Sequence, residues 1–238
     1  MTTGDANADC GGDETEADRV VCVRGRSVGL AVVEVDDAAL LHRWRSDPVA
    51  AHELGIWPRS LGALRERVER DAEDDSRDDF LVLLPDGTPV GYAALSDQDM
   101  VNGSAEVELM TAVEHRGRGY GTDALDALVD LAFGELPLHR LVAETHTSNA
   151  PALAALARSG FVREGVSRAA CFHRGRRHDL AVHSLLRPEW ERLERRRARG
   201  SGAARTPDGG LGRLTGAGRQ TGGGRQTGAG RPSGRLGR

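Results

Sequence analysis

Lysine is absent from this chain of 238 residues, cysteine occurs three times, and no apolar run approaches the length of a bilayer span. The first absence removes one class of phosphate site. A nucleoside triphosphate P-loop ends in Gly-Lys-Ser/Thr, and no residue here can supply its cation. The cysteines, Cys10, Cys22 and Cys171, show neither paired spacing nor a Cys-x-x-Cys motif, which excludes a disulfide framework and a cysteine-based zinc site and leaves free thiols. Roughly 20 consecutive apolar residues are needed to cross a membrane, so the reading is of a chain with no membrane span. Cations are also missing at the start: nothing basic precedes Arg19, the reverse of a secretory or transit signal, and the expected compartment is the cytoplasm.

Charge is unevenly placed. Residues 1–190 hold 33 acidic residues against 20 arginines, a net of −13, whereas residues 191–238 hold 12 arginines against 3 acids, a net of +9. From Gly200 onward the chain is mostly Gly, Arg, Thr, Gln and Pro, with the near repeats Gly218-Arg219-Gln220-Thr221-Gly222 and Gly224-Arg225-Gln226-Thr227-Gly228. Such a segment cannot bury a core. The expected organisation is a disordered acidic N-terminus over residues 1–19, one folded domain over 20–190, and a basic Arg/Gly-rich disordered tail over 191–238. The tail has no aromatic side chain for stacking, so any RNA or other polyanion it touches is held weakly, through salt-sensitive phosphate contacts.

Most of the functional information sits at one junction. Arg116-Gly117-Arg118-Gly119-Tyr120-Gly121 lies between a strand-like run, Ala105 to Val113, and a helix-like run, Thr122 to Phe133. Glycines there let the backbone turn with positive φ and approach a ligand closely, and the unpaired N–H groups of a helix start favour an anion. Arg116 and Arg118 add full charges. A dinucleotide fold would place such a loop in its first βαβ unit, with an acidic residue about 20 positions on. Here the loop falls mid-chain, behind several other elements.

The remaining pattern predicts an α/β domain with a sheet of mixed direction and helices on both faces. Val20 to Val35 reads as a first strand, Asp37 to Arg45 as a helix, and Ser60 as the cap of a helix running to Asp74. Phe80 to Leu84 and Val90 to Leu95 flank the hairpin signal Pro85-Asp86-Gly87-Thr88. After the loop, Leu125, Leu128, Ala132 and Leu136 fall on one helix face. His139 to His146 reads as a strand, and Leu153, Leu156 and Ala157 form the packing face of a short helix that Asn149 caps and Gly160 ends. Cys171 to Phe172 and His178 to Leu186 supply the last strands.

This order of strand, Arg-Gly-x-Gly-x-Gly, helix, strand, Asn149, helix and Gly160-Phe161 resembles the acetyl-CoA-binding core of the GNAT superfamily of N-acetyltransferases. Glu106-Val107-Glu108-Leu109, Ala132-Phe133, Leu138-His139-Arg140, Glu164-Gly165, and Gly175 followed by Asp179 are similar to the branch holding ribosomal-protein-alanine and spermidine N-acetyltransferases. Upstream, Asp36, Trp44, Asp47-Pro48 and Pro58-Arg59-Ser60 extend the likeness, which covers residues 20 to 190. It implies a mostly antiparallel sheet with splayed central strands, acetyl-CoA as the acetyl donor, no metal, and a monomer or homodimer. The cofactor would lie on the backbone of Leu109, Met110 and Thr111, on the loop residues Arg116, Gly117, Arg118, Gly119, Tyr120 and Gly121, and on Asn149.

The implied reaction sets a chemical demand. A primary amine of pKa near 10 is about one part in a thousand deprotonated at neutral pH, so a base or a desolvated site must take its proton before direct attack on the thioester in a ternary complex. Glu106, Glu108, Glu144 and His146 are candidates, with Glu108 and Glu144 as the expected catalytic pair. Where many relatives carry a tyrosine that protonates the leaving thiolate, this chain has Leu156, which leaves the thiolate to depart unassisted or with help from water or Ser148. The expected acceptor is a protein N-terminal amine, such as that of a ribosomal protein, or a polyamine or similar small amine. The alternative reading is a non-catalytic acyl-CoA-binding module tethered to RNA by its tail.

Overall fold

The computed structural model describes residues 19–54 and 56–201. In chain order the elements are β1 (Val21–Arg24), β2 (Gly29–Val32), α1 (Ala38–Arg45), α2 (Pro48–Leu54), α3 (Leu61–Asp71), β3 (Asp78–Leu83), β4 (Pro89–Asp99), β5 (Ser104–Thr111), α4 (Tyr120–Glu135), β6 (Arg140–His146), α5 (Ala150–Arg158), β7 (Val162–His173), β8 (Arg176–Leu186) and α6 (Arg187–Ser201). The strands form one sheet in the order β1-β2-β3-β4-β5-β6-β8-β7. Every neighbouring pair is antiparallel except β5 and β6.

That parallel pair is short and governs the site. It runs from Ser104 opposite Arg140 to Glu106 opposite Val142 and stops. Beyond it, β5 stays paired with β4 as far as Thr111 while β6 stays paired with β8 as far as His146. The two strands therefore part, and the backbone groups that each would have offered the other face a wedge-shaped gap.

Alternation along the strands sends side chains to two cores. On one face Leu81, Leu83, Tyr92, Ala94 and Met110 pack with Leu41, Trp44, Leu64 and Val68 of α1 and α3. The opposite face is covered by α4, whose Leu125, Leu128, Ala132 and Phe133 are each at most 1% exposed. Burying leucines of this kind stabilises by about 1.5–3 kcal/mol each.

Several boundaries differ from the sequence expectation. The expected first strand over Val20 to Val35 is two strands with a turn between them, because Gly25-Arg26-Ser27 folds back and the Gly25 N–H donates to the Val28 carbonyl at 2.8 Å. Helix α2 was not expected, yet its signal is local: Asp47 Oδ1 accepts the N–H groups of Val49 and Ala50 at 2.8 and 2.9 Å, with Pro48 at the first helical position. Strand β7 starts at Val162 rather than Cys171. Leu136 ends α4 in an extended conformation instead of continuing its packed face, and Ala157 is exposed on α5. The hairpin around Gly87, the Ser60 cap and the Asn149 cap are as expected.

At the end of the domain, Arg187 donates from Nε to the Leu138 carbonyl and from Nη2 to that of Leu136, both at 2.7 Å, and its Nη1 reaches the Phe133 carbonyl. One guanidinium thus satisfies the open carbonyls after α4. The helix it begins continues to Ser201, past the expected boundary at residue 190. The expected acidic N-terminus up to residue 18 and the tail from residue 202 lie outside the described residues.

Candidate active site

The glycine loop takes the conformation that its composition suggests. Gly117 and Gly119 have φ of 75° and 86°, the left-handed region where a side chain strains the backbone, and a Cβ at either would meet no atom within 4 Å. Open space beside glycines at positive φ is what a bound phosphate needs. Gly119 caps α4, and the first helical N–H groups, from Tyr120 to Thr122, have no partner within the helix by its geometry. Sixteen residues of helix stand behind them, so the partial positive charge of that end is fully developed.

Two anchors fix the helix start. At Gly121 a Cβ would sit 2.8 Å from Thr111 Oγ1, so glycine lets α4 close on the end of β5 without displacing that hydroxyl. Asp123 supplies the second: its carboxylate accepts the N–H groups of Arg26, Ser27 and Val28 at 3.0, 2.6 and 3.1 Å, and the Ser27 hydroxyl at 2.8 Å. Desolvation opposes its charge, but these donors prevail and hold its pKa below the ordinary aspartate value. Sequence reading gave Asp123 no role, since its partners lie almost a hundred positions away.

The loop arginines divide their work. Arg116 turns its guanidinium to Glu53 of α2, at 2.8 Å, and to the Thr111 carbonyl, at 3.2 Å, so its charge ties α2 to the loop instead of standing free for an anion. Arg118 is exposed, and no described residue pairs with it. Across the gap, Asn149 Oδ1 accepts the Ala152 N–H at 3.2 Å as the cap of α5. Among the described residues nothing engages its Nδ2, which remains able to donate to a ligand amide.

The expected acids share one sheet face. Glu106 and Glu108 on β5 and Glu144 on β6 alternate with residues facing α4, so they project toward the side of α1, α2 and α3, on the two strands that part. Their states differ. Glu108 accepts from Arg77 Nη1 at 3.0 Å and Ser96 Oγ at 3.2 Å, in a knot where Arg77 also donates to Asp79 at 2.9 Å and to the Tyr92 hydroxyl at 2.6 Å. Burial would raise the Glu108 pKa, yet Arg77 wins and lowers it, which makes this carboxylate a weak proton acceptor. Burial and the neighbouring Glu108 and Asp79 push Tyr92 well above the ordinary phenol value, so it stays protonated. Glu144 is exposed and no described residue bonds it. Leu156 is buried on α5.

A second group of side chains meets at the end of β6. His146 is 3% exposed, and its ring lies 5.1 Å from that of His52 on α2 and 5.2 Å from that of His178 on β8. His173 on β7 completes the set, 4.5 Å from His52. Cys171 Sγ is 3.6 Å from His146 Nε2, and the Asn149 N–H donates to the His146 carbonyl at 2.9 Å. Desolvation first, then the mutual repulsion of the rings, lowers the pKa of both His52 and His146. Among the described residues no group of three or more His, Cys, Asp or Glu is arranged to hold a metal ion. A cleft of about 160 Å3 between α1, α2 and the end of β5 adjoins this face, with Trp44, Asp47, Met110, Thr111 and Glu114 in its wall.

Comparison with known proteins places this architecture. Residues 28–162 match the family model for the acetyltransferase (GNAT) domain. A Bacillus subtilis (strain 168) protein that carries the provisional name ribosomal N-acetyltransferase YdaF is 38% identical over 109 residues, covering 46% of this chain and 60% of that one. The spermidine N(1)-acetyltransferase of Vibrio cholerae is 25% identical over 131 residues, covering 55% of this chain and 76% of that one. In fold, the chain is similar to the Vibrio cholerae spermidine N-acetyltransferase solved with CoA and spermine, at a TM-score of 0.67 and 23% identity, over 69% of this chain and 98% of that one. Glycine loop, splayed parallel pair and family match agree, and the chain belongs to the GNAT family of acetyltransferases.

Proposed function

We propose that the protein transfers the acetyl group of acetyl-CoA to a primary amine by direct attack in a ternary complex. The observation that carries this reading is the parting of β5 and β6 beside the start of α4, which puts free strand backbone and free helix N–H groups on one continuous path. On that path the pyrophosphate lies against the N–H groups of residues 116–121 with Arg118 beside it, and the pantetheine arm runs through the gap to Asn149. N–H groups of Leu109, Met110 and Thr111 that face away from β4 meet the oxyanion as it forms. The amine enters from the opposite face, where Glu108 and Glu144 lie. The exposed Glu144 carboxylate attracts a cation, whereas the charge of Glu108 is balanced by Arg77.

The acceptor class follows from this acidic face and from the relatives, one named for spermidine and one for a ribosomal substrate. The chemistry common to both is a cationic primary amine. Release of CoA, followed with a panel of spermidine, spermine and peptides beginning with alanine, tests the proposal. Turnover is expected with at least one of these, and binding of acetyl-CoA without turnover on any would favour an acyl-CoA-binding module. The basic tail contributes at most a weak polyanion contact and no part of the reaction.

A further inference from the structure

Resting on the amine acetylation just proposed, we propose that His146, backed by His52, His173 and His178, is the group that takes the proton from the acceptor ammonium and passes it to solvent. Four imidazoles from three separate parts of the chain form one connected set, with ring centroids 4.5 to 5.5 Å apart. A set assembled from α2, β6 and the β7–β8 hairpin is not the accident of a local histidine run. Its inner member, His146, sits two residues beyond Glu144 on the same strand face and immediately before the turn to Asn149, so it borders the gap where the thioester would lie. Its outer members, His173 and His178, are only partly buried.

The inner rings of the set keep nitrogen positions open. His146 Nδ1 and His52 Nδ1 are buried with no hydrogen-bond partner among the described residues. A ring nitrogen left open in the interior is costly unless a substrate or a proton uses it. His178 Nε2 bonds the His173 carbonyl at 3.2 Å, which makes that nitrogen the donor and leaves Nδ1 to accept. The rings tilt against one another at 37° to 69°, and among the described residues the set is not arranged to hold a metal ion.

The carboxylates are poorer choices for this step. Glu108 is committed to Arg77 and Ser96. Imidazole, with an unperturbed pKa near 6.5, lies closer to operating pH than a carboxylate and so serves better as a general base. The charged and titratable groups around the set are Glu53, Arg174 and Cys171, with Glu144 along the strand; Arg116 neutralises Glu53. Desolvation first, then ring repulsion, lowers the pKa of His146 and of His52, which leaves these two imidazoles neutral at neutral pH and able to accept.

The balance is simple. The ammonium N–H bond breaks and its proton goes to His146, then to solvent water on the side of the set where His173 and His178 are only partly buried. The freed lone pair adds to the acetyl carbonyl, the carbon–sulfur bond breaks, and the second amine proton ends on the CoA thiolate to give amide and thiol.

The test is kcat against pH from 5.5 to 10 for the wild type, His146→Gln and His178→Gln, with spermidine as acceptor. General-base catalysis contributes roughly 10²–10⁴ in rate, so His146→Gln is expected to lower kcat at pH 7 by about a hundredfold while the KM for acetyl-CoA holds within about twofold. Its log kcat should climb with slope one toward the amine's own pKa near 10, approaching the wild type there. His178→Gln should show a smaller loss with the same recovery, which keeps the proposal testable if the buried variant misfolds. A loss that is equal at every pH, or no loss in either variant, overturns the relay while leaving amine acetylation standing. Absence of CoA release by the wild type with every amine would instead overturn the acetylation reading on which the relay rests.

Discussion

Replacing Gly119 by Asp and, in parallel, by Asn separates the two things that this residue does. Gly119 has φ of 86°, and a non-glycine residue held there costs about 1–2 kcal/mol, least for Asn and Asp, whose side chains tolerate the left-handed region. Since a Cβ at Gly119 meets nothing within 4 Å, no clash adds to that strain. Both variants should therefore fold and lose the same amount, a fall of about 2–4 °C in Tm per kcal/mol for a domain of this size. Only Asp adds a charge. A carboxylate about 5 Å from one phosphate charge, at an effective dielectric constant of about 20, is repelled by about 3 kcal/mol, or roughly a hundredfold in affinity. Titration calorimetry with acetyl-CoA, at low and at high salt, reads this difference: Gly119→Asp should bind far more weakly than Gly119→Asn, and salt should narrow the gap. Equal affinities for the two variants would refute the placement of the pyrophosphate at the start of α4.

Asp123→Ala leaves three backbone N–H groups and a hydroxyl without their acceptor, and should cost about 3–5 kcal/mol in urea denaturation; a loss under about 1 kcal/mol would show that water replaces the carboxylate. Stability should also fall in mild acid. The folded pKa values of His52 and His146 lie below the unfolded value near 6.5, so their contribution is whole above that pH and is lost as pH drops through the folded values. Tm at pH 5.5 should thus be lower than at pH 7.5, and His146→Gln should flatten the dependence; a flat wild-type curve would contradict the burial of these rings. Deletion of residues 202–238 should leave turnover on a small amine unchanged, and its loss would mean that the tail takes part in the site.

What the sequence revealed and what it hid divide along a physical line. Gly119 at the start of α4, the hairpin at Gly87 and the Asn149 cap rest on local backbone preference, and each is where the residue pattern puts it. Helix α2 was equally local, but Asp47-Pro48 was read only as part of a resemblance and not as a cap with a proline behind it. Long-range pairing hid the rest. Nothing near Asp123 points to the turn at Ser27, nothing near Arg116 announces Glu53, and nothing near Glu108 tells of Arg77. His52, His146, His173 and His178 meet only because β6, β8 and the β7–β8 turn bring them under α2, and spacing along the chain carries no trace of that. The single turn between β1 and β2 was missed because Arg24-Gly25-Arg26-Ser27 interrupts the apolar run too briefly to end it by pattern alone.

The most direct measurement is to incubate the full chain with acetyl-CoA and spermidine, or with a peptide beginning with alanine, and to quantify acetylated amine by mass spectrometry alongside free CoA thiol. The two products are expected in equal amounts, and only when an amine is present. Thiol released without acetylated amine, or neither product despite bound acetyl-CoA, would contradict amine acetylation.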